Sequence, residues 1–165
     1  MSFQKFLPIP IMFGVLAGIA TILAGAVEFA PWPIFVGWAV YLVAGAKPSL
    51  LSKEVAALIG GIILGYVTFA VLPGATGALG ATFALPVVVA VAVFLMVAVG
   101  RVQMLSLAPA FVIAYATYLA YVLGSFGGAA TTPVNAIMPF FILNVVGFVF
   151  GYVSVSLQTK LSSTQ

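Results

Sequence analysis

The 165-residue chain has no cysteine and no histidine, and it carries five basic and two acidic side chains in all. Disulfides, thiolate nucleophiles and imidazole metal sites are excluded outright. No serine has a histidine to act as its base. Glu28 and Glu54 make up the whole carboxylate set and read as lying at opposite membrane faces, which excludes a two-carboxylate active site. The sequence therefore predicts no enzyme, no metal and no cofactor. The absence of cysteine leaves the redox compartment open. Charge is scarcest of all: 4% of residues against about 25% in a soluble domain. So few polar groups cannot cover a water-facing surface, and lipid is left as the solvent.

What is present is apolar, at 65% of the chain. In lipid every backbone N–H and C=O needs an internal partner, so only helices or a closed barrel can span. Barrel strands alternate apolar and polar residues, whereas the run Val87–Met96 has no polar alternate. The fold expected is all-α: a single integral membrane domain over residues 1–165, built as a polytopic helix bundle. A crossing takes roughly 20 apolar residues. Six segments qualify or come near: Ile9–Val27, Trp32–Ala46, Val55–Leu72, Thr82–Gly100, Met104–Leu123 and Ala136–Leu157. The second is short.

The basic residues set the orientation. Lys5 precedes the first segment, Lys47 and Lys53 lie between the second and third, Arg101 between the fourth and fifth, and Lys160 near the end. With six crossings all five fall on one side, which is then cytoplasmic, giving N-in and C-in ends. Five crossings would separate Arg101 from Lys160. The net charge of +3 thus reflects topology, and no nucleic-acid partner is expected. Lys5, the apolar stretch after it and Ala24-Gly25-Ala26 also fit a secretory signal with a cleavage site. The length of the run favours an uncleaved helix. Pro73–Gly80 and Gly124–Pro133 read as tight outer turns, and Pro86 and Pro109 as kinks inside spans.

Glycine pairs spaced by three residues mark faces where helix backbones can approach: Gly14 and Gly18, Gly61 and Gly65, Gly147 and Gly151. The last two pairs sit in matching phrases, Gly61-Ile62-Ile63-Leu64-Gly65-Tyr66-Val67 and Gly147-Phe148-Val149-Phe150-Gly151-Tyr152-Val153. Earlier, Trp38-Ala39-Val40-Tyr41-Leu42 echoes Tyr115-Ala116-Thr117-Tyr118-Leu119. The match is either a three-helix unit used twice or coincidence in a chain rich in glycine, alanine and valine. A unit of three crossings would be inverted in its second copy, an arrangement that recurs in transporters.

No predicted span has a charge near its centre. That argues against an ion pump, a relay of carboxylates or a voltage sensor. Thr21, Thr68, Ser106, Thr117 and Ser154 can bond their own helix backbone. Asn144, deep in the last span, predicts either an interhelical hydrogen bond or a pore-lining amide. Asn144, Asn135, Ser106, Tyr115 and Thr117 are the candidate pore-lining residues. Tyr66, Tyr115, Tyr118, Tyr152, Trp32 and Trp38 fit an interfacial aromatic belt.

The stretch Trp32–Tyr41, followed by Leu58–Val67 and by Ser106-Leu107-Ala108-Pro109-Ala110-Phe111, resembles the YcdZ-like family of small bacterial inner-membrane proteins. That resemblance implies a multi-pass location in the bacterial inner (cytoplasmic) membrane and no assigned activity. The same proline segment is similar to one found in each half of urea transporters, with Ala110 here separating Pro109 from Phe111. The tryptophan-then-glycine pattern is similar to the fusaric and aromatic acid exporter superfamily. Three functions are carried forward: a channel or facilitator for small, mostly uncharged solutes, working as a homo-oligomer in membrane lipid; a structural or accessory membrane subunit acting through helix contacts; and an exporter of small lipophilic acids, for which Arg101 is the candidate cation.

Overall fold

The computed structural model describes residues 6–128 and 131–163; Lys5 lies outside them. Six α-helices are formed among the described residues: α1 (Pro8–Ala26), α2 (Trp32–Val43), α3 (Leu51–Leu79), α4 (Ala81–Val99), α5 (Ala108–Leu123) and α6 (Pro133–Ser163). Short 3₁₀ turns at Pro48–Leu50 and Gln103–Leu105 lead into α3 and precede α5. The fold is an all-helical bundle. Four of its helices, α1, α3, α4 and α6, are long and apolar enough to cross a membrane.

Proline sets several of the starts. Pro8 and Pro133 open α1 and α6, and Pro33 and Pro109 stand in the first turns of α2 and α5. A first-turn N–H has no intrahelical partner, so losing it costs little there. Pro109 is therefore a helix start and not a kink, which corrects the reading of a span from Met104. Pro73 goes the other way. It lies inside α3, which runs on through Gly74 and Gly77 to Leu79, so the expected outer turn over Pro73–Gly80 is helix. The Thr76 hydroxyl donates to the Leu72 carbonyl at 2.8 Å beside the proline. The chain breaks instead at Gly80, whose φ of +76° is readily adopted by glycine. Pro139 is likewise interior to α6.

The chain divides into two compact units, one comprising the chain up to Leu51 with the chain from Ile142 onward, the other Ser52–Phe141. In the first, α2 packs along the C-terminal part of α6. Gly147 lies against the backbone of Ile34, Gly37 and Trp38, and Gly151 lies against the ring of Tyr41. In the second, α5 packs along α3. Gly61 lies against Ala114 and the Tyr115 backbone, and Gly65 against the ring of Tyr118. These are the same contacts at the same register: Gly61 answers Gly147, Gly65 answers Gly151, Tyr115 answers Trp38, and Tyr118 answers Tyr41.

The correspondence extends well beyond the glycines. Along α3 the buried positions Ala57, Leu58, Gly61, Ile62, Gly65 and Thr68 align with Leu143, Asn144, Gly147, Phe148, Gly151 and Ser154 on α6, all of them buried. Tyr66 and Tyr152, at matching positions, both point outward. Helix lengths repeat as well: 19, 12 and 29 residues for α1 to α3, then 19, 16 and 31 for α4 to α6. The first helix of each triplet buries little of itself and the third buries a third or more. Chance matches among common residues have no reason to share burial phase, contacts and helix lengths at once. The chain is a three-helix unit used twice.

Candidate functional site

The polar side chains of the interior fall into the same duplicated pattern. In one unit the Trp38 indole N–H donates to the Ser154 hydroxyl at 3.0 Å, and Ser154 donates to the Gly151 carbonyl at 2.8 Å. In the other, the Tyr115 hydroxyl lies 3.0 Å from Thr68 Oγ1, which donates to the Leu64 carbonyl at 2.9 Å. A hydroxyl has one proton to give, so with Thr68 committed to Leu64, Tyr115 is the donor between them. Each unit therefore holds one relay, aromatic donor to hydroxyl to helix carbonyl, in a buried seam beside a glycine pair. All groups in both relays are neutral.

Around each relay the packing is aromatic. Trp38 stacks on Phe13 with ring centres 5.6 Å apart and lies 5.7 Å from Phe150. In the other unit Tyr118 and Tyr121 both set ring edges on Phe140 at 5.5 Å, and the Tyr118 hydroxyl donates to the Pro133 carbonyl. Trp38, Tyr115 and Tyr118 are thus core residues, which corrects their belt reading. Tyr66 and Tyr152 remain exposed on the helix surface.

Within the units lie apolar grooves. One, of about 260 Å³, runs between α3 and α4 past Leu64, Thr68, Val71, Val87 and Val91. A second, of about 180 Å³, is bordered by Ile59, Ile63, Tyr66, Ile137 and Met138. In the other unit Phe13, Phe35, Trp38 and Leu42 border a groove of about 330 Å³. Trp38 and Thr68, members of the two relays, each edge one of these grooves.

The five candidate pore residues occupy different surroundings. Asn144 is buried on α6, where its backbone carbonyl fills the space a Cβ on Gly37 would need. Tyr115 is buried in its relay. Thr117 donates to the Ile113 carbonyl of its own helix at 2.6 Å. Asn135 is exposed in the first turn of α6, its N–H capped by the Thr132 hydroxyl at 3.2 Å. Ser106 is exposed in the turn before α5, donating to the Gln103 carbonyl at 2.9 Å and receiving the Lys53 ammonium at 3.2 Å. Tyr115, Thr117, Asn135 and Ser106 belong to one unit, and their separate partners do not make one lining. Thr21, Thr68 and Ser154 also bond their own helices.

The Lys53–Ser106 contact ties the start of α3 to the turn that carries Arg101. Lys53 and the turn that carries Arg101 therefore lie at one end of that unit, as the charge pattern predicts. Among the glycine pairs, Gly61, Gly65, Gly147 and Gly151 are all seated in seams, while Gly14 and Gly18 have no described residue of another element within 4 Å of a Cβ position.

Thr68 and Ser154 bond their own helices as expected, but their aromatic partners Trp38 and Tyr115 were not foreseen, although each hydroxyl is the residue after a Tyr-Val pair in the repeated phrase. Glu54, placed by hydropathy at the membrane face, is fully buried. Extending the alignment back along the two phrases sets it opposite Phe140, a core position, and that signal was present in the sequence.

No curated protein and no solved structure matches the chain. A family described as "protein of unknown function (DUF1097)" matches residues 10–158, nearly the whole length. The duplicated six-helix bundle, with its paired neutral relays, belongs to the DUF1097 family.

Proposed function

We propose that the protein is a membrane facilitator for small, mostly uncharged solutes, acting as a homo-oligomer. The observation that carries this reading is the pair of neutral relays, Trp38–Ser154 and Tyr115–Thr68, repeated in the two halves and each edging a groove. Hydroxyls and an indole can exchange hydrogen bonds with amides and alcohols, and they supply no field to hold a strongly charged ion. A unit of three crossings used twice would be inverted in its second copy, an architecture in which pathways form at the repeat interface. The short α2 and α5, about 18 and 24 Å long at 1.5 Å per residue, would need their flanking turns to complete a crossing. The likeness to YcdZ-like proteins supports a multi-pass place in the bacterial cytoplasmic membrane, and the lack of a nucleophile–base pair supports a non-enzymatic role.

Purified protein in liposomes is expected to speed the entry of urea, short amides and glycerol analogues over empty vesicles, measured by stopped-flow light scattering. Equal rates for all of them would reject the reading. A second reading, an accessory subunit, is favoured by one observation: no described residue of another element lies within 4 Å of a Cβ position on Gly14 or Gly18 of α1, and small-residue faces are where membrane helices meet. It predicts co-purification with a larger complex, whereas the facilitator predicts a homo-oligomer alone. The exporter reading has less support, because Arg101 stands exposed in the turn after α4.

A further inference from the structure

Glu54 stands in the first turn of α3 and is completely buried, at 0% exposure. Among the described residues neither of its carboxyl oxygens has a hydrogen-bond partner. Its neighbour Lys53, on the same helix, directs its ammonium to Ser106. Glu28, Lys47, Arg101 and Lys160 are exposed. An ionised carboxylate left alone in such a place loses its hydration and gains nothing in return. As a neutral acid it can stay.

Packing does not explain the acid. The matching position in the second half is Phe140, also fully buried and packed by the rings of Tyr118 and Tyr121. The same point of the duplicated unit is thus filled by an apolar ring in one copy and by a carboxyl in the other. The surroundings of the ionised form are provided for as well. A first helical turn favours negative charge, and Glu54 lies one residue from a lysine at the basic-turn end of α3. Opening of this corner to water would exchange burial, which suits the neutral acid, for a setting that suits the carboxylate.

We propose that Glu54 is a proton-binding site that exchanges with the aqueous phase at the Lys53 end of α3. On opening, the O–H bond of the acid breaks, its electron pair stays on the carboxylate, and the proton passes to water; reclosure takes one proton back. The inference stands independently of which solute, if any, the protein carries.

Infrared spectroscopy of the full chain in bilayers tests it without a solute. At neutral pH the wild-type protein is expected to show the C=O stretch of a protonated carboxylic acid, above the amide band. The band should shift down within hours of transfer to D₂O, persist in Glu28→Gln and disappear in Glu54→Gln. Should Glu54→Gln fail to fold, wild type and Glu28→Gln together still assign the band, since the chain has no other side-chain carboxyl. Absence of the band, its loss in Glu28→Gln, or its survival in Glu54→Gln would overturn the proposal. A band that never shifts in D₂O would also overturn it, because a sealed acid exchanges nothing.

Discussion

Replacing Gly61 or Gly147 with alanine is expected to destabilise the bundle sharply, and replacing either with leucine to prevent folding. A Cβ on Gly61 would stand 2.6 Å from the Ala114 Cβ and 2.7 Å from the Tyr115 backbone nitrogen. On Gly147 it would stand 2.7 Å from the Trp38 nitrogen and 2.8 Å from the Gly37 Cα. These neighbours are mostly backbone, which cannot rotate away as a flexible side chain could. Overpacking of a tight seam costs about 1–3 kcal/mol and more where nothing yields, against a total stability of about 5–15 kcal/mol. Thermal unfolding in detergent, followed by circular dichroism, gives the comparison. Gly14→Ala and Gly18→Ala serve as controls, since no described residue of another element stands within 4 Å of a Cβ position on either; alanine there should leave the transition unchanged or raise it by up to about 1 kcal/mol. Equal losses at all four glycines would show that the seams are not as described.

Tyr41→Ala and Tyr118→Ala form the second large pair. Both rings are fully buried, each lying over the second glycine of its seam. Emptying a site of that size costs about 3–5 kcal/mol. Because the two tyrosines hold equivalent places in the duplicated unit, their losses should be similar. Tyr66→Ala and Tyr152→Ala remove the same ring from matching exposed positions and should stay within about 0.5 kcal/mol of wild type. Chemical denaturation in mixed micelles separates these outcomes. A strong loss at Tyr66 or Tyr152, with none at Tyr41 or Tyr118, would reverse the assignment of inner and outer faces.

Much of this fold was legible in the sequence because helices in lipid are governed by few rules. Apolar runs marked α1 and α4 to within a residue or two. Matching Gly-x-x-x-Gly-Tyr-Val phrases marked the two long helices that carry the seams. What was not legible shares one physical cause: hydropathy measures the cost of leaving water and cannot tell lipid from protein interior. Tyr115 and Tyr66 look alike on that scale, yet one is buried in a relay and the other faces outward. Gly14 and Gly61 also look alike, yet among the described residues a Cβ on the second meets a neighbouring helix within 4 Å and a Cβ on the first meets none. Proline misled in both directions. Its effect depends on whether the lost N–H fell in a first turn, as at Pro109, or in the middle of a helix, as at Pro73. Glu54 was hidden for the opposite reason. A charge at the head of an apolar run ordinarily marks the water boundary, and only its alignment with Phe140 identifies the position as core.

A three-helix unit used twice in lipid is expected to set each basic turn on one side. The chain has no cysteine, so single cysteines can be introduced and labelled with a membrane-impermeant maleimide in vesicles of known sidedness. Ser49→Cys, Gln103→Cys and Ser163→Cys are predicted to label from the cytoplasmic side, and Glu28→Cys from the opposite side. Labelling of Gln103→Cys and Ser163→Cys from different sides would contradict it.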